Sequence, residues 1–398
     1  MGDTVQIKKR LRLGILFKFS SGWMGGVIYI LNIIKTLNQL DDGRKPYIIL
    51  FYTSTLEKYL KEINYPYLET VKWSFPALIP GYFKSWLLRK NLFIDGIINR
   101  YSLDALFPLH DFPVRVKSDV KLIAWWADLQ HNYYPEYFST IQIWARNVRI
   151  RLILKYADRL VVSSEAVADD FAKFYHNGVG KKISIFHFVS IIDNLYQDNI
   201  KEIKERFGLP GNYFLVSNQF HRHKNHKVVL LALAKLKERG QHLFIAFTGK
   251  FPAESHSPYL SELHRIIDEN DLSDQVAMLG MISRNEQLLL MKYSQAVIQP
   301  SLFEGWSTVI EDAISLQVPV ISSHLKVNTE QLGRGNIYFD PHSPDELASI
   351  LADYPQRNLN DCFYEDYSAR TKRAASQFLE ILTTSIKNKV IENPGRKQ

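Results

Sequence analysis

The chain of 398 residues has a single cysteine, Cys362. An intramolecular disulfide is therefore excluded, and a reducing cytoplasm is the expected setting. It lacks any run of about 18 apolar residues, which excludes an expected membrane-spanning helix. It also lacks a signal peptide by this reading. Basic residues precede Leu13–Phe17, but Lys18 interrupts the apolar run and no small-residue cleavage site follows, so a first β-strand is expected there. No sequence repeat relates the two halves. Acidic residues are short only in the first half. Residues 1–180 hold 24 Lys+Arg against 16 Asp+Glu, so this half carries the whole net charge of +8. Such asymmetry attracts a membrane surface, a nucleic acid or a phosphorylated substrate.

What is present describes a globular protein. Hydrophobic residues make up 46% and charged residues 23%, which excludes large-scale disorder. The length suggests two domains of roughly 150–200 residues. Aromatics reach 13%, but cores, saccharide sites and membrane interfaces all use them. Short β-branched or aromatic runs alternate with helix-length amphipathic stretches, the pattern of parallel α/β units. Strands are expected at Leu11–Phe17, Pro46–Phe51, Ala105–Pro108, Leu122–Trp125 and Arg159–Val162, then at Tyr213–Ser217, Leu243–Thr248, Val276–Leu279, Ala296–Gln299, Pro319–Ser322 and Ile337–Phe339. The reading is two Rossmann-like domains, 1–188 and 211–366, joined by a linker at 189–210. A last helix, within 367–398, either caps the second domain or returns to the first. Open parallel sheets bind ligands beyond the carboxyl ends of their strands, so the expected site is a cleft between the domains.

The most informative segment is AVIQPSLFEGWSTVIEDAISLQVPVISS. A buried strand ends at Pro300, a loop carries Glu304 and Gly305, and a helix starts near Ser307. Gly305 permits a sharp turn or a close ligand, Ser307 and Thr308 suit a helix start, and unpaired amides there form an anion site. On that helix Asp312 lies about 110° from the centre of the apolar stripe and Glu311 about 150°. Asp312 is thus expected beside the buried face and Glu311 toward solvent.

This segment resembles the retaining glycosyltransferases of family 4 (glycosyl transferases group 1), which have the two-domain GT-B fold. The family has two acids spaced E-x7-E. The resemblance makes Glu304 the acid beside the donor sugar. It puts the ribose contact at Asp312, a departure from Glu, with Glu311 as substitute, and it makes the amides of Trp306, Ser307, Thr308 and Val309 a diphosphate cradle. The family's basic pair after the first strand of this domain corresponds to Asn218, in place of an Arg, and Lys224, with Arg222 as a compensating cation. In MLGMISRNEQ the backbone at Met281–Ile282 corresponds to the nucleobase contact, with Arg284 as a weaker candidate. In the first domain Gly25-Gly26, which is not a G-x-G-x-x-G, corresponds to a loop reaching the donor phosphate, and His131 in D-x-Q-H to a histidine against the sugar.

The histidines of FHRHKNHK, His221, His223 and His226, match no standard zinc spacing, so a basic loop facing phosphate is preferred and no metal is expected. No cofactor is expected beyond the nucleoside diphosphate sugar as co-substrate. Transfer to a saccharide or lipid-linked saccharide is the implied reaction, in polysaccharide or lipopolysaccharide/O-antigen biosynthesis. A nucleotide-sugar epimerase on the same fold and a non-catalytic nucleotide-sugar-binding protein are the alternatives. No nucleic-acid motif accompanies the basic charge. GYFKSWLLRKNLF and IQIWARNVRIRLILKY read as basic amphipathic helices, either lying on an anionic membrane or packing their apolar faces into the core. The location expected is cytoplasmic, with peripheral contact to the inner face of the cell membrane.

Overall fold

Short apolar runs become strands, and the amphipathic stretches between them become helices. The computed structural model describes residues 10–19, 24–110, 119–175, 182–192, 199–252, 257–355 and 363–391, with side chains as far as 384. Cys362 and residues 193–198 lie outside these. The chain divides into two units, one taking residues up to Ile191 and again from Ser368, the other Ile192–Tyr367.

The strands of the first unit are β1 (Arg12–Phe17), β2 (Tyr47–Tyr52), β3 (Leu68–Lys72), β4 (Ala105–Leu109), β5 (Lys121–Trp125), β6 (Arg159–Val162) and β7 (Ile183–Ile185). They form one parallel sheet in the order β3-β2-β1-β4-β5-β6-β7. Its helices are α1 (Met24–Leu37), α2 (Leu78–Leu88), α3 (Asp95–Arg100), α4 (Gln130–Tyr133), α5 (Thr140–Tyr156) and α6 (Glu165–Tyr175). The leading run Arg12–Phe17 is the strand expected of it, with every residue from Leu13 to Phe17 buried. Such continuous burial on both faces is what a central parallel strand requires.

The second unit has β8 (Phe214–Ser217), β9 (Ile245–Thr248), β10 (Val276–Gly280), β11 (Val297–Gln299), β12 (Val320–Ser323) and β13 (Ile337–Phe339), parallel in the order β10-β9-β8-β11-β12-β13. Its helices are α7 (Ile200–Arg206), α8 (His226–Glu238), α9 (Pro258–Glu269), α10 (Arg284–Lys292), α11 (Thr308–Ser315), α12 (Lys326–Leu332) and α13 (Pro344–Ala352). Within 189–210, Ile203 and Leu209 are buried against Tyr213 and Leu290 in this unit's core. The chain then leaves through α14 (Tyr367–Ile391), which belongs to the first unit from Ser368 onward. There Phe378 is fully buried, with its ring 5.3 Å from Phe107 and 4.8 Å from Phe186.

In each sheet the strand order reverses once, between β1 and β4 and between β8 and β11. Chain segments leave a parallel sheet in opposite directions at such a point, opening a crevice at the carboxyl ends of the strands. One glycine is demanded beside it. Gly249, just past β9, has φ +147, and any Cβ there would overlap the carbonyl oxygen of Asn218.

Candidate active site of the second unit

Asn218 follows β8 and Gln299 closes β11, so the two residues flank the reversal point. Both are buried. Asn218 Nδ2 donates to Gln299 Oε1 at 3.1 Å, and Gln299 Nε2 donates to Glu304 Oε1 at 2.8 Å. Lys224 Nζ donates to the same oxygen of Glu304 at 2.6 Å. Lys224 and Glu304 keep only 19% and 8% of their side-chain surface exposed, so their attraction is weakly screened.

Two loops meet to make this contact. Asn225 is in the left-handed region at φ 55, and its Nδ2 donates to the carbonyls of Pro300 at 3.1 Å and Pro341 at 2.8 Å. The amide of Leu302 donates to the carbonyl of His223 at 2.8 Å. The loop carrying Lys224 is thereby latched to the loop carrying Glu304.

The histidines of this region do not converge on a metal. Among the described residues no group of three or more His, Cys, Asp or Glu is placed to hold one. His226 is buried, stacks on Phe220 at 4.5 Å, and holds the carbonyl of Asn218 at 3.3 Å. Burial, reinforced by the charge of Lys224, pushes its pKa down to about 3 and that of His223 down to about 2. His221 is lowered by the same two causes. All three are neutral at pH 7, so the positive charge of this loop at the site is that of Lys224.

Helix α11 starts as expected. Ser307 caps it, its Oγ accepting from the amide of Ile310 at 3.3 Å. The amides of Thr308 and Val309 have no acceptor within the helix. The Ser307 amide is not part of that set, because it donates to Gln331 Oε1 at 3.1 Å. Gly305 is buried in the preceding loop and Trp306 is half-buried.

The helical phase misplaces Glu311. It is fully buried rather than solvated, and its Oε1 accepts from Gln331 Nε2 at 2.8 Å. Asp312 is buried too, and takes a bidentate contact from Arg284 at 2.6 and 2.5 Å. A helical wheel assumes one buried face. Here α12 reaches Glu311 and α10 reaches Asp312, so α11 is enclosed on both flanks.

Three further expectations need correction. Arg222, expected as a compensating cation for the diphosphate, is already paired, its guanidinium 3.3 Å from Glu262 and half exposed. Gly25 and Gly26 lie inside the first turn of α1 rather than in a loop before it. Asp312 is not an open carboxylate, since Arg284 already occupies both its oxygens. Ile282 is half-buried against the second unit's core, two residues before Arg284. In the first unit, His131 on α4 is buried, its Nε2 3.4 Å from Asn147 Oδ1 and its Nδ1 without a protein partner. Burial lowers its pKa, so it too is neutral at pH 7.

Gln299, Gln331 and the pairing role of Arg284 are absent from the sequence-based set. Gln299 left one signal: a lone amide side chain at the end of the buried run VIQP.

Residues 198–370 match the family described as glycosyl transferases group 1. An O-antigen chain mannosyltransferase of Salmonella typhimurium is 26% identical over 245 residues, spanning 61% of this chain and 63% of its own length. A glycosyltransferase of Methanocaldococcus jannaschii is 24% identical over 89% of this chain and 83% of its own. Among solved structures, Anabaena HepE in complex with UDP-glucose superposes with a TM-score of 0.62 at 18% identity, over 96% of this chain and all of that one. WaaG, a glycosyltransferase involved in lipopolysaccharide biosynthesis, gives 0.56 at 12% identity over 95% and 99%. At these identities the likeness shows the fold, which is GT-B.

Proposed function

We propose, from the premise that residues 198–370 belong to the glycosyl transferases group 1, that this chain moves a sugar from a nucleoside diphosphate sugar to a saccharide or lipid-linked saccharide. The observation that carries the reading is the Asn218–Gln299–Glu304–Lys224 chain beside the start of α11, at the reversal point of the sheet.

An ammonium has three donors, and Lys224 commits one to Glu304. The others, with the Thr308 and Val309 amides at the positive end of α11, stabilise the diphosphate as it leaves. This charge takes the place of a metal ion. Glu304 Oε1 is engaged by Lys224 and Gln299, which leaves Oε2 to accept from a hydroxyl of the sugar. Transfer proceeds with retention: the bond from the anomeric carbon to phosphate breaks, the acceptor oxygen bonds that carbon on the same face, and the departing phosphate takes the acceptor proton. The Arg284–Asp312 pair contacts the ribose, Arg284 supplying the outward face.

Relatives suggest donors: one structure holds UDP-glucose, and the Salmonella protein is a mannosyltransferase. A thermal-shift screen against UDP-, GDP- and dTDP-sugars selects among them. Glu304→Gln keeps the side-chain shape and removes the charge. It is expected to lower transfer by about 10²–10³-fold, the scale of losing one transition-state contact, and to lower the melting temperature, because Lys224 loses a weakly screened partner. Near wild-type transfer would overturn the role of Glu304. Products formed from donor alone would point to epimerisation instead.

A further inference from the structure

Helix α2 is built the wrong way round for a core helix. Its buried residues are the small ones, Gly81 and Ser85, one turn apart. Gly81 sits so close to the ring of Phe93 that a Cβ would overlap it, so the helix backbone is pressed directly on the core. Its large apolar side chains point outward: Ile79 is 84% exposed, Trp86 74%, and Phe83 and Leu87 63% each. Helix α5 does the same at its start, with Ile141 and Trp144 at 78% and 67%. Its Trp144, Val148 and Leu152, spaced four apart, line a groove of about 1160 Å³ whose opposite wall is Leu78, Tyr82 and Trp86 of α2. A contiguous apolar surface of this kind on a water-exposed unit marks an interaction site.

Charge decides what covers it. From Leu78 to Leu92 the chain carries Lys84, Arg89 and Lys90 and no acid; α5 carries Arg146, Arg149, Arg151 and Lys155 and no acid. Asp95 of α3 is the acid that lines the groove. Arg89 even occupies the left-handed position that ends α2, at φ 51, where glycine is the easy choice. A second copy of this chain would meet the face through a two-fold contact, setting like charges against each other. A nucleic acid would answer the charge but leave Ile79, Leu87 and Ile141 in water. An anionic bilayer answers both, since basic side chains meet its headgroups while Trp and aliphatic side chains enter the acyl boundary.

We propose that the α2–α5 face is a membrane-docking surface, which inserts Ile79, Phe83, Trp86 and Trp144 among the acyl chains of an anionic bilayer. The inference rests on the first unit alone and stands apart from the transferase reading.

The test uses the full chain with vesicles of phosphatidylcholine alone, and of equal parts phosphatidylcholine and phosphatidylglycerol, with and without bromine on the acyl chains. Wild-type protein is expected to co-sediment with the phosphatidylglycerol vesicles only, and brominated chains are expected to quench its tryptophan fluorescence. The double variant Ile79→Ser/Trp86→Ser is expected to bind at least ~10-fold more weakly, with an unchanged melting temperature and an unchanged thermal shift by nucleotide sugar. Protein that stays in solution with both vesicle types, or vesicle binding without quenching, overturns the proposal. So does a double variant that binds like wild type, or one that loses a concentration-dependent dimer instead. Vesicle binding by a chain that transfers no sugar would remove the transferase reading and leave this one intact.

Discussion

At the scale of single residues, the site is a set of buried polar groups that are satisfied by one another. Glu304 and Lys224 follow from the sequence, because a carboxylate after a buried strand and a cation in a polar loop are visible as residue types. Their coupling through Gln299 is not visible, since it depends on two strands lying side by side. Glu311 and Asp312 show the limit of helical phase, which gives a direction but not what stands there. His226 offers a test of the packing behind the site. Its folded pKa of about 3 is far below the unfolded value near 6.5, so the unfolded chain binds the proton first. Its contribution is present above pH 6.5 and is lost as pH falls toward 3, by at most about 1.4 kcal/mol per pH unit. His226→Phe keeps a ring against Phe220 and cannot titrate. The drop in melting temperature between pH 7 and pH 4.5 is expected to be smaller in this variant; an equal drop would place the titration elsewhere.

At the scale of elements, legibility followed apolar runs rather than burial. The expected strands correspond to β1, β2, β4, β5 and β6 and to every strand of the second sheet, because each carries an apolar run, the half-buried edges β10 and β13 included. The two left out, β3 and β7, are the two edges of the first sheet. β3 reads LETVK and β7 reads ISI, each broken by polar residues, so neither shows a continuous apolar run. Helix α2 was legible as a helix, but its sequence alone left open whether its large side chains turn inward. The contact of Gly81 with Phe93 settles that, and no local pattern encodes it. Gly249 is the corresponding close approach in the second unit. Gly249→Ala is expected to cost about 1–3 kcal/mol and to displace Asn218, weakening the nucleotide-sugar thermal shift. An alanine variant with wild-type stability and binding would mean that the end of β9 yields easily.

At the scale of the molecule, the last helix ties the end of the chain into the first unit. Phe378 fills a space between Phe107 and Phe186 there. Phe378→Ala is expected to cost about 3–5 kcal/mol and to lower the melting of the first unit. The thermal shift by nucleotide sugar, proposed for the second unit, should persist. Hydrogen exchange resolved along the chain separates the two: faster exchange in β4–β7 with an unchanged β8–β11 is the expected pattern, and uniform loss would contradict it.

That return of the chain also fixes an order of events on the ribosome. The first unit is specified up to Ile191 yet cannot close until Phe378 emerges, nearly 190 residues later. At the usual 5–20 residues per second this is a wait of roughly 10–40 s. The whole second unit, Ile192–Tyr367, is synthesised within that interval, so the smaller unit completes its core while the larger one still waits for its last helix.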